Sequence, residues 1–575
     1  RRLSIVDLTE AGKQPMVSAN NRFIIVYNGE IYNHLELRAA LKVNWRGHSD
    51  TETLIEAIAA WGAEETLKKC VGMFAFALWD KAQKTLFLAR DRFGEKPLYY
   101  GFAGKTFLFA SELKALRAHP DFDDEIDRDA LALFVRRGYI NAPHSIYKRI
   151  KKLRPGYYLT LKNGELRENE YWNVLDAALK PPENNLSDAE AIDELDFLLR
   201  RSVKSQMIAD VPLGAFLSGG IDSSTIAALM QAQSPRPVKT FTIGFEAEEY
   251  NEAPHALAVA KHLQTDHTEL YLSGADALAV VEKLPALYDE PFGDSSQIPT
   301  FLVAQMTRRH VTVALSGDGG DELFFGYDRY LLTERIRKKV GWIPPLLRLA
   351  MAKPFLALGR FGKTGDRLAK LAEIAPFKNE EDLYLRLVSC STHPNEIVLG
   401  ANEPPPISAE AIGDLDRKMR YLDQVDYLSG DILVKVDRAA MGVSLETRAP
   451  MLDHRLAEFA WSLPRRFLTR EGKSKWLLRQ VLYRYVPKEI VDRPKMGFGA
   501  PIGRWLREEL KDWTDDLLSV RRLKREGFFN PDEIAQKWEE HNDGRYSWHS
   551  YLWPILMFQS WLDHLEKPNE KELDA

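Results

Sequence analysis

Two glycine-rich loops carry the residues best suited to chemistry in this chain. The first is Ser-Gly-Gly-Ile-Asp-Ser-Ser at residues 218–224, between an apolar run and a stretch with helical periodicity. Glycines between a strand and a helix let backbone N–H groups approach an anion at the positive helix end. This loop contains no Gly-Lys-Ser/Thr, so it is not the ordinary P-loop. Asp222 beside a phosphate site indicates a divalent metal between the two.

A second loop of the same kind follows another apolar run. It contains Ser316, Gly317, Asp318, Gly319, Gly320, Asp321 and Glu322. The carboxyl ends of parallel strands meet at one edge of a sheet, where ligands bind. We therefore expect both loops to hold one nucleotide, with Asp222 and Asp321 sharing magnesium.

Alternating strands and helices are predicted to position these loops. Apolar strands are predicted at "PLGAFLS", "VKTFTIGF" and "HVTVALS", separated by helices at "DSSTIAALMQAQ", "NEAPHALAVAKHLQ" and "PTFLVAQMTRR". This alternation predicts an α/β doubly wound parallel sheet. The chain beyond about residue 330 is predicted to be mostly helical.

The first 172 residues follow a different pattern. Short apolar and aromatic runs alternate with turn residues, as in "RFIIVYNGEIYN" and "GMFAFALWDKAQKTLFLARDRFG", and hairpin turns are predicted at "DKAQ" and "KNGE". A strand is also expected at "LSIVDL", and helices at "NHLELRAAL" and "SDTETLIEAIAAWG", the second capped by Ser49 and Asp50. These features predict an α+β layered domain, then a linker at residues 173–188 and a second domain at 189–575.

Composition excludes several classes of protein. The 575 residues include 78 Lys plus Arg and 83 Asp plus Glu, a formal net charge of −5. This balance gives no sign of a nucleic-acid surface or a membrane anchor, so we expect small-molecule partners, with a homodimer left open. The two cysteines, Cys70 and Cys390, form no disulfide framework or metal motif, which favours a reducing cytoplasm. No apolar stretch reaches the ~20 residues of a bilayer span.

The loop "SGGIDSS" resembles the pyrophosphate-binding loop of the PP-loop ATP pyrophosphatases, which have a Rossmann-like fold. "VALSGDGGDELFFGY" is similar to the second loop of glutamine-hydrolysing asparagine synthetases, with Asp318 where that family has a functional glutamate. "GKSKWLLR" resembles the segment whose lysine stabilises the transition state, and the match falls on Lys475. The resemblance implies Asp318 and Lys475 as catalytic residues and magnesium on Asp222 and Asp321. It implies that ATP is held by Leu217, Ser218, Gly219, Gly220, Asp222, Ser223, Ser224, Ile243, Ser316 and Gly317.

Two further segments resemble the same family. "DILVKVDRAAMGVSLETRAPMLD" is expected to supply buried polar residues to the architecture of the site, and Asp431 is expected to face the acceptor. "RPKMGFGAPIGRW" is also similar to a family segment, but the sequence assigns it no role.

"YNGEIYNH", "GHSDTETLI" and "ARDRFGEKPLYY" resemble the glutaminase domain of class II amidotransferases, an N-terminal-nucleophile fold. Glutamine needs a cation for its α-carboxylate, an anion for its ammonium group and an oxyanion hole for its amide. The resemblance implies that glutamine is bound by Arg2, Asn28, Gly29, Glu30 and Asp50. Taken alone, Asn28-Gly29 is also compatible with a hairpin turn, the less favoured alternative.

The family's nucleophile is a cysteine at the mature N-terminus, whose own amine is the base. The chain starts at "RRLSIVDL", and Cys70 lies at the start of an apolar strand, so it is interpreted as a core residue. We therefore expect the nucleophile and the first segment of the glutaminase domain to lie upstream of residue 1.

The resulting hypothesis is a two-site ligase with ATP and Mg²⁺ as cofactors. Glutamine supplies ammonia, and ATP activates the β-carboxylate of aspartate as an adenylate, giving asparagine, AMP and pyrophosphate. One alternative keeps this machinery but amidates another carboxylate, such as a sugar uronate, or closes a β-lactam ring. A tRNA-thiolating enzyme would need a basic surface and paired cysteines, which are absent from the sequence. A non-catalytic protein on the same fold is disfavoured by the presence of Asp222, Asp321 and Lys475.

Overall fold

The computed structural model describes residues 3–183, 185–245, 251–358, 372–493 and 500–566. Arg2, which was expected to bind glutamine, lies outside these residues. Residues 494–499 of "RPKMGFGAPIGRW" also lie outside them. Within the described ranges, none of the helices combines the length and the apolar run that crossing a membrane requires.

The front part of the chain is built on antiparallel strands. They are β1 Met16–Val17, β2 Phe23–Ile31, β3 Gly72–Asp80, β4 Thr85–Arg90, β5 Tyr99–Ala103, β6 Thr106–Ala110, β7 Ile150–Lys152, β8 Tyr157–Lys162 and β9 Glu165–Glu170. Six of them form one sheet in the order β1-β2-β3-β4-β8-β9, and the other three form a sheet in the order β6-β5-β7. The predicted hairpins are confirmed, because β3 pairs with β4 and β8 with β9 through short turns.

Helices cover the larger front sheet and extend beyond it. The α-helices of this part are His34–Ala39, Asp50–Trp61, Ala63–Lys69, Leu113–Arg117 and Arg128–Arg137. Helix Asp50–Trp61 begins as predicted, with the Ser49 side chain accepting a hydrogen bond from the N–H of Glu52. The strand predicted at "LSIVDL" is wrong: these residues run without regular structure. Ile5 and Val6 pack instead into the core of the rear part.

The rear part contains the predicted parallel sheet. Its strands are β10 Leu213–Phe216, β11 Lys239–Phe245, β12 Asp266–Leu272, β13 Val313–Leu315 and β14 Glu446–Arg448, and a small hairpin adds β15 Thr469–Arg470 and β16 Lys473–Ser474. The order is β12-β11-β10-β13-β14, and every neighbouring pair is parallel. Successive strands run outward from β10 in one direction and then from β13 in the other. The edge between β10 and β13 is therefore the switch point at which such sheets bind ligands.

The sequence pattern did not predict two strands of the parallel sheet, β12 and β14. β12 mixes polar and apolar residues, and β14 is only three residues long and carries two charges. Both are recruited by pairing with a neighbour, because a strand's partners supply the hydrogen bonds that its own residues do not encode.

Helices make up most of the remaining chain, as predicted. The α-helices after β9 and up to residue 358 are Val174–Leu179, Asp188–Gln206, Ile221–Ala232, Ala253–Leu263, Gly274–Val281, Leu284–Tyr288, Gln297–Arg308, Gly320–Leu323, Asp328–Val340 and Pro345–Leu358. Those after residue 371 are Glu380–Leu387, Pro394–Ile397, Leu415–Leu422, Leu433–Met441, His454–Ser462, Arg465–Leu468, Trp476–Leu482, Lys488–Val491, Ile502–Trp505, Lys511–Leu517, Val520–Glu526, Pro531–Asn542 and His549–Glu566. Short 3₁₀ turns lie at Glu10–Gly12 and Pro450–Leu452.

The segment predicted as a linker is partly helical. Helix Val174–Leu179 lies within residues 173–188, and Arg417 donates hydrogen bonds to the carbonyl of Ala178. At the end of the segment, Ser187 and Glu190 form a reciprocal capping box that starts helix Asp188–Gln206.

A π-helix at Asp423–Ile432 joins helices Leu415–Leu422 and Leu433–Met441 into one continuous element. Such a wide turn is rare and is found most often at functional sites. It carries Asp423, Asp426 and Asp431, whose side chains are all buried.

The two parts share hydrophobic cores. Phe93 belongs to the cluster that contains β10 and β13 residues, while Leu131 and Phe134 belong to a cluster with the C-terminal helix residues Leu552 and Phe558. The front and rear parts are thus packed together along an extended, mostly apolar contact. This contact fixes the distance between the motifs expected to bind glutamine and the loops expected to bind a nucleotide.

Candidate active site

The first glycine-rich loop leaves the end of β10 and enters helix Ile221–Ala232. Ser223 stabilises the loop: its Oγ lies 2.9 Å from Ser218 Oγ and accepts a 3.1 Å hydrogen bond from Ser218 N–H. Gly219 has φ +73°, and a Cβ there would lie 2.7 Å from the backbone of Ala256. The loop is thereby closely packed, with the N-terminus of a helix behind it.

The remaining residues expected around ATP surround this loop. Leu217 is buried and donates its N–H to the carbonyl of Phe241. Phe241 pairs with Phe216, so Ile243 lies two residues beyond that pair, toward the ligand-binding edge. Ser224 is fully buried, and its hydroxyl has no partner among the described residues.

Close approach of the second loop depends on its glycines. A Cβ on Gly317 would lie 2.7 Å from Ser223 N, and a Cβ on Gly320 would lie 2.5 Å from Asp222 Oδ1. No side chain larger than hydrogen fits without moving one of the loops. The prediction that the two loops meet is confirmed.

Lys475 lies between the two loop aspartates. Its ammonium is 2.6 Å from Asp321 Oδ1 and is also paired with Asp222. Burial alone would lower the pKa of Lys475, but the two carboxylates raise it above its ordinary value. Lys473, the other lysine of the segment, is exposed and pairs with Asp492. The structure therefore brings Lys475, and not Lys473, to this site.

Asp318 occupies the space between this cluster and the front part of the chain. Burial raises the pKa of the Asp318 carboxyl, opposed by its hydrogen bond with Ser316 and by Lys435, while Asp222 and Asp321 raise it further. A carboxylate with a raised pKa is a stronger base than an exposed aspartate. It also lines a small cavity whose other walls include Met73 and Glu95 of the front part.

A charged cluster beside Asp318 contains Asp431, which was expected to face the acceptor, and two residues that the sequence analysis missed, Asp294 and Lys435. Lys435 Nζ is 2.7 Å from Asp294 Oδ2 and 2.8 Å from Ser296 Oγ. Burial alone would raise the pKa of Asp294, but Lys435 and Ser296 lower it to about 2. Burial raises the pKa of Asp431 well above its ordinary value, and the Asp294 charge raises it further. The cluster therefore presents an ammonium, a carboxylate and a carboxyl group whose pKa is raised.

The "DSS" at residues 294–296 is the sequence signal that could have indicated Asp294. Arg493, another residue that was missed, donates to the Ser218 carbonyl at 3.3 Å and pairs with Glu252 at 3.0 Å. It gives the start of "RPKMGFGAPIGRW" a contact with the first loop.

The front motifs converge around strand β2. Asp50 accepts hydrogen bonds from Tyr27 Oη at 2.6 Å and from Ile31 N–H at 3.0 Å. These contacts hold it beside the Asn28-Gly29 pair. Gly29 has φ +149°, and a Cβ there would lie 2.1 Å from the carbonyl of Met73. The pair lies inside the strand and is not a hairpin turn.

Glu30 reaches from β2 to the rear part. Its Oε2 lies 3.2 Å from Arg448 Nη2, and Arg448 Nε also donates to Glu446 at 2.8 Å. The Arg448 carbonyl in turn accepts the N–H of Ser316 at 2.8 Å. One buried arginine thus joins a residue expected to bind glutamine to the second glycine-rich loop.

Cys70 is fully buried, and burial raises its thiol pKa to about 12. A thiol that stays protonated at neutral pH is not an activated nucleophile. The prediction that Cys70 is a core residue is confirmed.

Asp222 and Asp321 are the residues expected to bind magnesium. Among the described residues, no group of three or more His, Cys, Asp or Glu side chains is arranged to hold a metal ion. Asp222 and Asp321 nevertheless converge on one point, the Lys475 ammonium. Two carboxylates completed by phosphate oxygens are a donor set that Mg²⁺ uses, so these residues fit a nucleotide-bound ion.

The fold and the site define an enzyme that couples an amidotransferase domain to a parallel-sheet ligase domain. The family model described as asparagine synthase matches residues 194–563, and the one described as glutamine amidotransferase domain matches residues 1–172. The chain belongs to the glutamine-hydrolysing asparagine synthetase family, and it is an ATP-dependent carbon–nitrogen ligase with glutamine as the nitrogen donor.

The relatives span nearly the whole chain. The chain is 33% identical over 578 residues to a protein named asparagine synthetase [glutamine-hydrolyzing] 1 of Bacillus subtilis, covering 98% of this chain and 88% of that protein. It is 34% identical to a putative asparagine synthetase [glutamine-hydrolyzing] of Mycobacterium bovis, covering 97% of this chain and 88% of that protein. It is 27% identical to a Penicillium rubens protein named Amidase chyE, covering 92% of this chain and 84% of that protein.

Proposed function

We propose that the enzyme transfers the amide nitrogen of glutamine to the β-carboxylate of aspartate. In this reaction ATP first activates the carboxylate as β-aspartyl-AMP, with release of pyrophosphate. Ammonia then displaces AMP to give asparagine. The observation that carries this proposal is the set of charges beside Asp318, which matches the charges of an amino-acid acceptor.

The nucleotide end of the reaction follows from the two loops. Backbone N–H groups at the start of helix Ile221–Ala232, with Ser218 and Ser223, would hold the β- and γ-phosphates. Lys475 would neutralise the charge that develops as the α–β bond breaks. Asp222 and Asp321 would hold Mg²⁺, which supplies charge neutralisation on the phosphates when bound.

The acceptor end would use the Asp294–Lys435 pair and Asp431. Aspartate carries an α-ammonium group and an α-carboxylate in addition to the carboxylate that reacts. Lys435 offers a cation for the α-carboxylate, and Asp294 offers an anion for the ammonium group. Hydrogen bonds to these groups would orient the β-carboxylate toward the α-phosphate.

Amide formation requires a proton acceptor. The ammonia nitrogen forms a bond to the acyl carbon, the bond from that carbon to the AMP oxygen breaks, and nitrogen loses a proton. Asp318 would take up that proton, because it lies between the nucleotide loops and the front part, where ammonia is released. Adenylation makes this step feasible, because AMP is a far better leaving group than the oxygen of a free carboxylate.

Glutamine would bind along β2. Asn28 and Gly29 would stabilise the oxyanion of the amide, and Asp50 with Glu30 would bind the ammonium group. Arg2 would bind the α-carboxylate. Glutamine hydrolysis is therefore to be measured on the protein as its gene encodes it, so that any upstream segment is included.

A second candidate function keeps the mechanism and changes the acceptor. Two observations favour it: Asp318 stands where the family pattern has glutamate, and one relative is named an amidase. A carboxylate of another type, such as a sugar uronate, or closure of a β-lactam ring, would then replace the amidation of aspartate.

An acceptor screen distinguishes the two candidates. The purified protein, ATP, magnesium and ammonium chloride are combined with L-aspartate, L-glutamate, glucuronate or a β-amino acid, and pyrophosphate release is measured. We expect aspartate to support release and to yield asparagine. Release with another carboxylate, together with none above background for aspartate, would assign the second function. A Lys475→Met variant defines the background.

A further inference from the structure

Two small internal cavities lie where the front and rear parts meet. Each has a volume of about 20 Å³, which is enough for roughly one molecule the size of water. The first is lined by Met73 of β3 on one side and by Ser316 and Asp318 on the other. The second extends toward Tyr99 and Gly430.

The first cavity lies between strand β3 and the second glycine-rich loop. Met73 pairs with Glu30 across β2 and β3, next to the Asn28-Gly29 pair. Asp318 lines the opposite wall. A molecule of ammonia in this cavity would therefore lie between the strand expected to bind glutamine and the carboxylate expected to take its proton.

Three residues line both cavities: Glu95, Leu433 and Asp437. Leu433 offers no polar group, and Asp437 is bound to Lys96 at 2.9 Å, with both side chains buried. The Glu95 carboxyl group makes no hydrogen bond or ion pair with another residue of the described part of the chain. Glu95 is thus the shared wall residue with hydrogen-bonding capacity left over.

The backbone holds Glu95 rigidly in place. The Asp91 carboxylate accepts the N–H groups of Phe93, Gly94, Glu95 and Lys96 at distances from 2.7 to 3.1 Å. A single buried carboxylate therefore organises the whole turn that presents Glu95. This positioning does not require the Glu95 side chain itself.

Burial and the neighbouring carboxylates favour the neutral form of the Glu95 carboxyl group. Burial raises the pKa of the Glu95 carboxyl well above its ordinary value, Asp91, Asp318 and Asp437 raise it further, and Lys96 opposes them. The cavity walls also carry the cationic groups of Arg90, Lys152, Arg438 and Arg448. Among the charged groups near Tyr32, Glu95 has the largest effect on the tyrosine pKa, which it raises. The buried Tyr32 hydroxyl has no partner among the described residues.

We propose that Glu95 binds ammonia between the two cavities on its way to Asp318. A carboxyl oxygen of Glu95 accepts a hydrogen bond from an ammonia N–H. No covalent bond changes in this step. The inference rests on the proposed nitrogen transfer and adds a specific ammonia-binding residue to it.

The test compares two substitutions in the protein as its gene encodes it. Glu95→Gln keeps one donor and one acceptor at nearly the same size, whereas Glu95→Leu keeps the volume and removes both. The readout is the number of amide products formed per glutamate released from glutamine. Thermal midpoints establish that both variants fold.

We expect Glu95→Gln to retain the wild-type ratio. Glu95→Leu is expected to lower it by about threefold to tenfold, the effect of losing one hydrogen-bonding group, while glutamate release continues unchanged. Equal ratios in wild type and Glu95→Leu would overturn the proposal, as would an equal loss in both variants, which would indicate a purely structural role. If aspartate is not the acceptor, wild type forms no asparagine, and the ratio is then measured with the acceptor that the screen identifies.

Discussion

Replacing Lys435 by methionine tests the acceptor cluster most directly. Methionine matches the length of the apolar part of lysine but carries no charge. The change removes the cation that lies 2.7 Å from Asp294 and 2.8 Å from Ser296. It leaves the half-buried Asp294 without its principal partner, beside the buried Asp431.

The structure sets the size of the effect. At 2.7 Å the direct attraction between unit charges is about 6 kcal/mol with an effective dielectric constant of roughly 20. Burial offsets much of this attraction. The net stabilisation of ionised Asp294 by its partners corresponds to the lowering of its pKa from 3.8 to about 2. This lowering is equivalent to about 2 kcal/mol of folding stability at neutral pH.

The sign of the pH dependence follows from that lowered pKa. A carboxylate whose folded-state pKa is lowered stabilises the fold above its unfolded pKa, here 3.8, and loses this contribution as the pH falls toward 2. We therefore expect Lys435→Met to be less stable than wild type by about 2 kcal/mol at pH 7. The deficit should shrink as the pH falls from 3.8 toward 2, because wild type then loses the stabilisation that its ionised Asp294 provides.

Urea unfolding at several pH values measures this deficit. Lys204→Met is the matched control, because Lys204 is exposed on helix Asp188–Gln206 and has no ion pair among the described residues. Acceptor-dependent ATP–pyrophosphate exchange reports function, and we expect the acceptor KM to rise by about tenfold to a hundredfold, as for a lost charged hydrogen bond. A stability equal to that of Lys204→Met at pH 7, or a deficit that does not change with pH, would refute the reasoning.

Three other substitutions test the remaining parts of the site. Lys475→Met should lower pyrophosphate release by roughly a hundredfold or more through loss of transition-state charge stabilisation, whereas Lys473→Met should leave it near wild type; similar rates for the two variants would contradict the assignment. Gly317→Ala should cost about 1–3 kcal/mol in urea unfolding and weaken ATP binding, because its Cβ enters the first loop; Gly413, which has open space around it, provides the Gly→Ala control. Asp431→Asn should cost less stability at pH 7 than Lys435→Met, because burial and the Asp294 charge raise the pKa of Asp431 and asparagine keeps its shape without a second negative charge; an equally large loss in urea unfolding would contradict this.

The local chemistry of both glycine-rich loops could be predicted from the sequence. Apolar runs followed by glycines and a helical pattern specify a strand, a loop and a helix N-terminus through contacts between near neighbours. For the same reason, the hairpins around β3, β4, β8 and β9 and the Ser49 cap could be predicted. Their turn and cap chemistry lies within a few residues.

The sequence pattern failed where an element depends on distant partners. "LSIVDL" has the composition of a strand, yet its apolar side chains pack against the rear core and find no neighbouring strand. β14 has the opposite character: it is short and charged, but it completes the sheet by pairing with β13.

The sequence by itself determined which residues could bind a phosphate, and the family motifs indicated which could bind glutamine. Only the tertiary structure selected Lys475 to lie between Asp222 and Asp321, and joined Lys435 to Asp294 across 141 residues. Only the packing of the two parts enclosed the cavities beside Glu95. The physical reason is range: helix caps and turns form between near neighbours, whereas buried charges find their partners only when the whole core is assembled.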